Sequence, residues 1–238
     1  MTMPAVESRE ETAMVQELHE DVIHMGELVR DAVAKASRAL LQGDKARGDE
    51  VIAGEQLVDR MELTIARKCV DLLTSSRNIG GEQQREVTAI LKVITDLERI
   101  ADLAEEVALI SREISPPYPA RISQRLRKMA ELASDMIETG LHAFASRDLR
   151  RLHRLREQED IVDVAQRWLH AEVLRHLQAV PDYIKTGIAL LFASHDLGRM
   201  ADHATNIGEW AIYSATGGIG RLKSYRPSDF SASLLPLL

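Results

Sequence analysis

The stretch DLGRMADHATNIGEW, Asp196 to Trp210, has an earlier partner, because one hundred residues upstream the chain reads DLERIADLAEEV from Asp96 to Val107. Around the earlier copy Ile90, Ile94, Leu97, Ala101, Ala104 and Ala108 recur at the three-and-four spacing of a single helix face. The two stretches are one helix used twice. The duplication runs further upstream: His24-Met25-Gly26-Glu27-Leu28 answers Lys128-Met129-Ala130-Glu131-Leu132, Gly43-Asp44 answers Arg147-Asp148, and Glu55 to Asp59 answers Glu159 to Asp163, each 104 positions apart. The change of offset from 104 to 100 makes the second repeat four residues shorter. The turn around Val180-Pro181-Asp182 is the simplest place for the deletion.

Working outward, the spacing predicts a first helix from near Glu10 to about Gln42, carrying Val22, Met25, Val29, Val33, Ala36 and Leu40 on one face. Gly43-Asp44 breaks it. A second helix runs from about Lys45 to Leu73, with Val51, Val58, Ile65, Cys69 and Leu72, and a turn follows from Thr74 to Gly81. A third, from about Glu82 to Ile114, stops at Pro116-Pro117-Tyr118-Pro119, since proline neither continues a helix nor lets its predecessor do so. The expected architecture is all-α: six long helices forming two tandem antiparallel three-helix bundles, residues 10–115 and 120–216, with a tail at 217–238. Helices near thirty residues are about 45 Å long, so the molecule is elongated. Whether the tail, with its apolar end Leu234 to Leu238, packs back on the bundle is left open by the sequence.

Composition agrees. The 238 residues are 45% hydrophobic and 28% charged with only 4% aromatic, a balance that favours helix and suffices for a sizeable core. A formal net charge of −7 argues against a general nucleic-acid binder. The basic run from Arg147 to Arg156 is interleaved with Leu149, Leu152 and Leu155, and is expected to be a solvated helix face rather than a phosphate patch. Cys69, the one cysteine, sits on an apolar stripe as a small core residue, consistent with a reducing compartment. The acidic start MTMPAVESREETAMVQELHED has no apolar signal segment, and no run of eighteen apolar residues crosses a membrane. A cytoplasmic location is expected.

The acidic residues fall in a pattern. Glu55 and Asp59 are four apart, as are their repeats Glu159 and Asp163, and as are Glu98 and Asp102, which Glu105 and Glu106 continue. Like charges at that spacing repel by roughly 0.2–0.5 kcal/mol per pair. Each carboxylate follows a core position and is thus turned about 100° from the buried stripe, along the seam where the second and third helices of a repeat meet. Facing rows would converge several carboxylate oxygens, a donor set suited to hard or borderline cations. The competing reading is a solvated acidic face, with Arg99 and Arg199 pairing Asp102 and Asp202. Repeat 2 is poorer: Gly198 stands where repeat 1 has Glu98, leaving Glu159, Asp163 and Asp202, with His203, Asn206 and Glu209 as further candidates beside them.

No Glu-x-x-His, His-Glu-x-x-His, phosphate-binding Gly-rich loop or nucleophile elbow occurs, so no catalytic constellation assembles and the chain is not expected to be an enzyme. The twice-used DLERIAD and DLGRMADHATNI resemble the PhoU family, whose pattern is approximately DLERIGDHAxNIAE; Ala101 and Ala201 replace its glycine with another small residue. The family resemblance, which covers Met25 to about Tyr213, implies a cytoplasmic homodimer that negatively regulates phosphate uptake and the phosphate-starvation response. It would link the ATPase subunit of a phosphate ABC transporter to a phosphate-sensing histidine kinase. The family's E/D-x-x-x-D motifs bind iron or zinc clusters, and the resemblance carries that role onto Glu55, Asp59, Glu98, Asp102, Glu159, Asp163 and Asp202. Two other readings stand beside it: a metal-binding helical bundle with a hydrolase or metal-storage role, and an accessory subunit of another phosphate transporter.

Overall fold

The structure, a computed structural model, describes residues 4–75 and 79–222. It has six long helices: α1 (Pro4–Gln42), α2 (Lys45–Ser75), α3 (Gly81–Glu113), α4 (Ala120–Ser146), α5 (His153–Ala179) and α6 (Ile184–Thr216). Single 3-10 turns, Leu149–Arg151 and Pro181–Tyr183, precede α5 and α6. Helix α1 starts at Pro4 rather than near Glu10, with proline in the first turn, where its missing N–H costs no hydrogen bond. The four-residue deletion falls where the offsets put it: residues 76–80 join α2 to α3, while Val180 alone separates α5 from the turn leading into α6. Most of the tail, 223–238, lies outside the described residues.

The turns have local causes. Gly43 takes φ 73°, which a Cβ would oppose, and Asp44 accepts from the Arg47 amide at 3.3 Å to start α2. After α3 the proline linker is tied down by the Tyr118 hydroxyl, which donates to the Leu40 carbonyl at the end of α1 (3.0 Å). The arginine run is not one helix face. Arg147 ends α4 in the left-handed region (φ 55°), Asp148 caps the 3-10 turn by accepting from the Arg150 amide, and only from His153 onward is the run in α5. The αL ending places Arg147 against α3 instead of in solvent.

Each repeat is an antiparallel three-helix unit, and one continuous core joins them. Helices α3 and α6 pack on each other at the centre, α1 meets α4, and α2 and α5 flank the outside. Small residues set the approach: a Cβ added to Gly140 of α4 would stand 3.0 Å from the Ala204 carbonyl oxygen of α6. A backbone atom cannot swing aside, so Gly140→Val is expected to destabilise the fold by about 1–3 kcal/mol, read as a lower urea midpoint. An unchanged midpoint would mean that α4 and α6 pack less closely than this.

Candidate metal centre

In α2, Glu55 and Asp59 follow one another by one helical turn on the side that faces α3, and Asp102 of α3 meets them. One carboxylate oxygen from each lies within 4.8 Å of the others, and all three residues are half-buried. Glu98, one turn before Asp102, stands beside this triad and is held by Arg99, whose Nε lies 3.3 Å from its carboxylate; the same guanidinium donates to Asp102 at 3.0 Å. Burial, then the charges of Asp102, Glu62 and Asp59, push the Glu98 carboxyl up to about 7 against the pull of Arg99. Burial also raises Glu55, with Asp59, Glu105 and Asp102 adding to it, and raises Glu105, with Glu106, Asp102 and Asp59 adding.

Six carboxylates thus share one groove: Glu55, Asp59 and Glu62 from α2, and Glu98, Asp102 and Glu105 from α3. Glu62 was not singled out from the sequence, although its position three after Asp59 puts it on the same face. It accepts from the Thr95 hydroxyl at 3.2 Å. All the donors are oxygens, can bridge ions, and repel one another when ionised. The set fits a carboxylate-bound cation of the hard or borderline kind.

Repeat 2 does not reproduce this. Among the described residues no second set of three metal-type side chains comes as close together. Asp163 and Asp202 are exposed and Glu159 is half-buried. His203 and Asn206 turn to the α3–α6 seam, where His203 Nδ1 lies 2.8 Å and Asn206 Nδ2 3.1 Å from one oxygen of the buried Asp96. Glu209 accepts from the Leu222 amide at 2.7 Å and pairs with Arg221, which holds the residues after α6. The seam is itself asymmetric: Asp196, the counterpart of Asp96, is pushed up to about 6, chiefly by burial and further by Glu106, while His195 and Arg199 pull the other way.

A second polar site was not legible in the sequence. Beside the middle of α1 a concavity of about 530 Å³ is lined by His19, Glu86 and Arg147, from α1, α3 and the end of α4. His19 stacks on Phe144 with ring centroids 5.0 Å apart and bonds one oxygen of Glu86; Arg147 donates to the other at 2.6 Å and to Glu82 at 2.9 Å. Burial alone would raise the Glu86 carboxyl, but His19 and Arg147 outweigh it and hold the carboxyl below its ordinary value. This is a polar bolt between the repeats.

A tandem three-helix bundle with a carboxylate-lined groove, and no helix long and apolar enough to cross a membrane among the described residues, defines the class: a duplicated all-α bundle protein with an acidic cation-type site. The PhoU domain matches at residues 22–110 and again at 126–211, so the chain belongs to the PhoU family. It is 29% identical over 215 residues to the phosphate-specific transport system accessory protein PhoU homolog of Rhizobium meliloti, covering 90% of each chain. To the protein of the same name from Aquifex aeolicus it is 30% identical over 205 residues, covering 86% of this chain and 92% of that one. The crystal structure of PhoU from Pseudomonas aeruginosa matches with a TM-score of 0.82 at 26% identity, over 87% of this chain and 99% of that one.

Proposed function

We propose that this protein is a regulatory adaptor of phosphate uptake and phosphate-starvation signalling, which keeps the response off when phosphate is plentiful. It acts as a homodimer that couples the ATPase subunit of a phosphate ABC transporter to a phosphate-sensing histidine kinase, with iron or zinc held by the repeat 1 carboxylates. The observation that carries the reading is the double family match, one per repeat, together with relatives named as phosphate-specific transport accessory proteins along nearly their whole length.

The surface of repeat 2 supports a docking role. Helix α6 presents Ile184, Ile188 and Phe192 to solvent in one line, at 59%, 46% and 61% exposure. The corresponding positions of α3 are Gln84, Thr88 and Lys92. The fold therefore does not require apolar side chains there, and a line of them at the surface suits a protein partner.

Deleting the gene is expected to leave phosphate-starvation transcription switched on in phosphate-rich medium. Reintroducing the wild-type chain should silence it. Reintroducing a chain with Ile188→Asp and Phe192→Asp should not, and should fail to capture the transporter ATPase from solubilised membranes. Unchanged transcription in the deletion strain would overturn the regulatory reading.

A further inference from the structure

We infer that metal loading in this chain is confined to repeat 1, and that Gln166 and Gly198 are the residues that withhold it from repeat 2. The inference rests on the reading of the carboxylates as cation ligands, and concerns how the two halves of one chain differ.

The three acids whose oxygens converge in repeat 1, Glu55, Asp59 and Asp102, are all kept in repeat 2 as Glu159, Asp163 and Asp202. Helices α5 and α6 also pack on each other, though less extensively than α2 and α3 do. What changes is the flank. Glu62 becomes Gln166, Glu98 becomes Gly198 and Glu105 becomes Thr205, so three of the six carboxylates are exchanged for neutral groups.

Each neutral group is turned to a use inside the protein. A Cβ at position 198 would lie 3.3 Å from Gln166 Oε1, so the Gln166 amide fills the space that an acid at 198 would need. Its Nε2 donates to the Ser194 carbonyl at 3.4 Å. His170 Nε2 meets the Ser194 hydroxyl at 3.1 Å, and that hydroxyl donates to the Leu191 carbonyl at 2.8 Å. Thr205 is buried and donates back to the Ala201 carbonyl at 3.2 Å. A short chain of neutral hydrogen bonds therefore runs along the α5–α6 seam where repeat 1 has facing carboxylates.

The consequence for a cation follows from charge and hydration. In repeat 1 the flanking acids add their negative charge to the converging oxygens of Glu55, Asp59 and Asp102, and a bound cation relieves the repulsion among them. In repeat 2 half of that charge is gone, and Asp163 and Asp202 lie exposed. An ion placed there would give up its hydration for little in return. The duplicated chain has kept a cation site in one copy and closed the other with an amide.

The barrier is small enough to remove. The atoms that crowd position 198 are the far end of a flexible side chain and not backbone, so a glutamate at 198 is tolerated, above all with a second glutamate at 166 to share the ion.

The chain is stripped with a chelator, reloaded with ferrous ion under anaerobic conditions and desalted, and the iron held per folded chain is counted by native mass spectrometry. Circular dichroism melts check that every variant folds. Asp59→Asn with Asp102→Asn is expected to lower iron retention by about ten-fold or more, whereas Asp163→Asn with Asp202→Asn leaves it at the wild-type value. Gln166→Glu with Gly198→Glu should raise the count to about twice wild type. Equal losses from the two asparagine pairs would overturn the confinement to repeat 1 while sparing the metal reading. A folded Gln166→Glu, Gly198→Glu chain that gains no iron would overturn the role of those two residues, and a wild-type chain that holds no iron would overturn the metal reading itself.

Discussion

Arg147→Ala is expected to lower the stability of the chain by about 2–3 kcal/mol in urea unfolding at neutral pH. Two losses add. Glu86 is buried with 9% of its side chain exposed, and without Arg147 one of its oxygens loses the guanidinium that compensates its charge. His19 alone then remains to hold it. The half-exposed Glu82 pair contributes little, because water screens it. Position 147 also has φ 55°, and alanine is no easier there than arginine. Arg147→Gly loses the same ion pairs but relieves the left-handed backbone by about 1 kcal/mol, so it should fall between wild type and Arg147→Ala.

The pH dependence of that variant follows from the direction of the Glu86 shift. Its folded carboxyl lies below the ordinary value, so it contributes stability above the unfolded carboxylate range that is lost as pH falls through the folded value. Removing Arg147 brings the folded value back up. Acid unfolding of Arg147→Ala should begin at a higher pH than that of wild type, in addition to the loss at neutral pH. If Arg147→Ala and Arg147→Gly unfold at the same urea concentration as wild type, the contact between the α4 turn and α3 is ornamental.

Much of the fold was legible because a duplicated chain states each element twice. Met25 and Met129, or Asp102 and Asp202, locate a helix independently, and their offsets alone place a four-residue deletion at a turn. Carboxylate pairs four apart were legible as a boundary row for the same reason, since helical spacing fixes which residues share a face. What spacing could not give was the second helix. That Glu55, Asp59 and Asp102 converge with Glu98 beside them depends on the register of α2 against α3. That His203 and Asn206 serve Asp96 depends on which way α6 faces α3. The Arg147 bolt was misread because helical interleaving of Leu149, Leu152 and Leu155 conceals a left-handed residue and a 3-10 turn, which leave no hydrophobic period of their own.

The metal-free chain is expected to become more stable as the pH is lowered from 8 to about 5, and the ferrous-loaded chain to show the opposite trend from pH 6 to 8. In the folded metal-free chain Glu98 is raised to about 7 and Asp196 to about 6. Between those values and the ordinary carboxylate range these two carboxyls bind more protons in the native state than in the unfolded state, so they add stability as pH falls through that window. They outweigh His170, which burial holds below its ordinary value and which works the other way. The trend ends in more acid solution, where Glu86, held below its ordinary value by His19 and Arg147, begins to protonate. A bound cation reverses the sign at the groove, because it needs the carboxylates ionised and competes with protons for them. At a free ion concentration a thousand times its dissociation constant, binding to the native state alone adds about 4 kcal/mol, and that increment shrinks as the groove protonates. Thermal midpoints recorded at half-unit pH steps, with and without ferrous ion, test both limbs. Glu98→Gln should flatten the metal-free trend on its alkaline side, above pH 6, and leave the part due to Asp196. A metal-free midpoint that climbs steadily from pH 5 to pH 8 would mean that the Glu98 and Asp196 carboxyls are not raised in the folded chain.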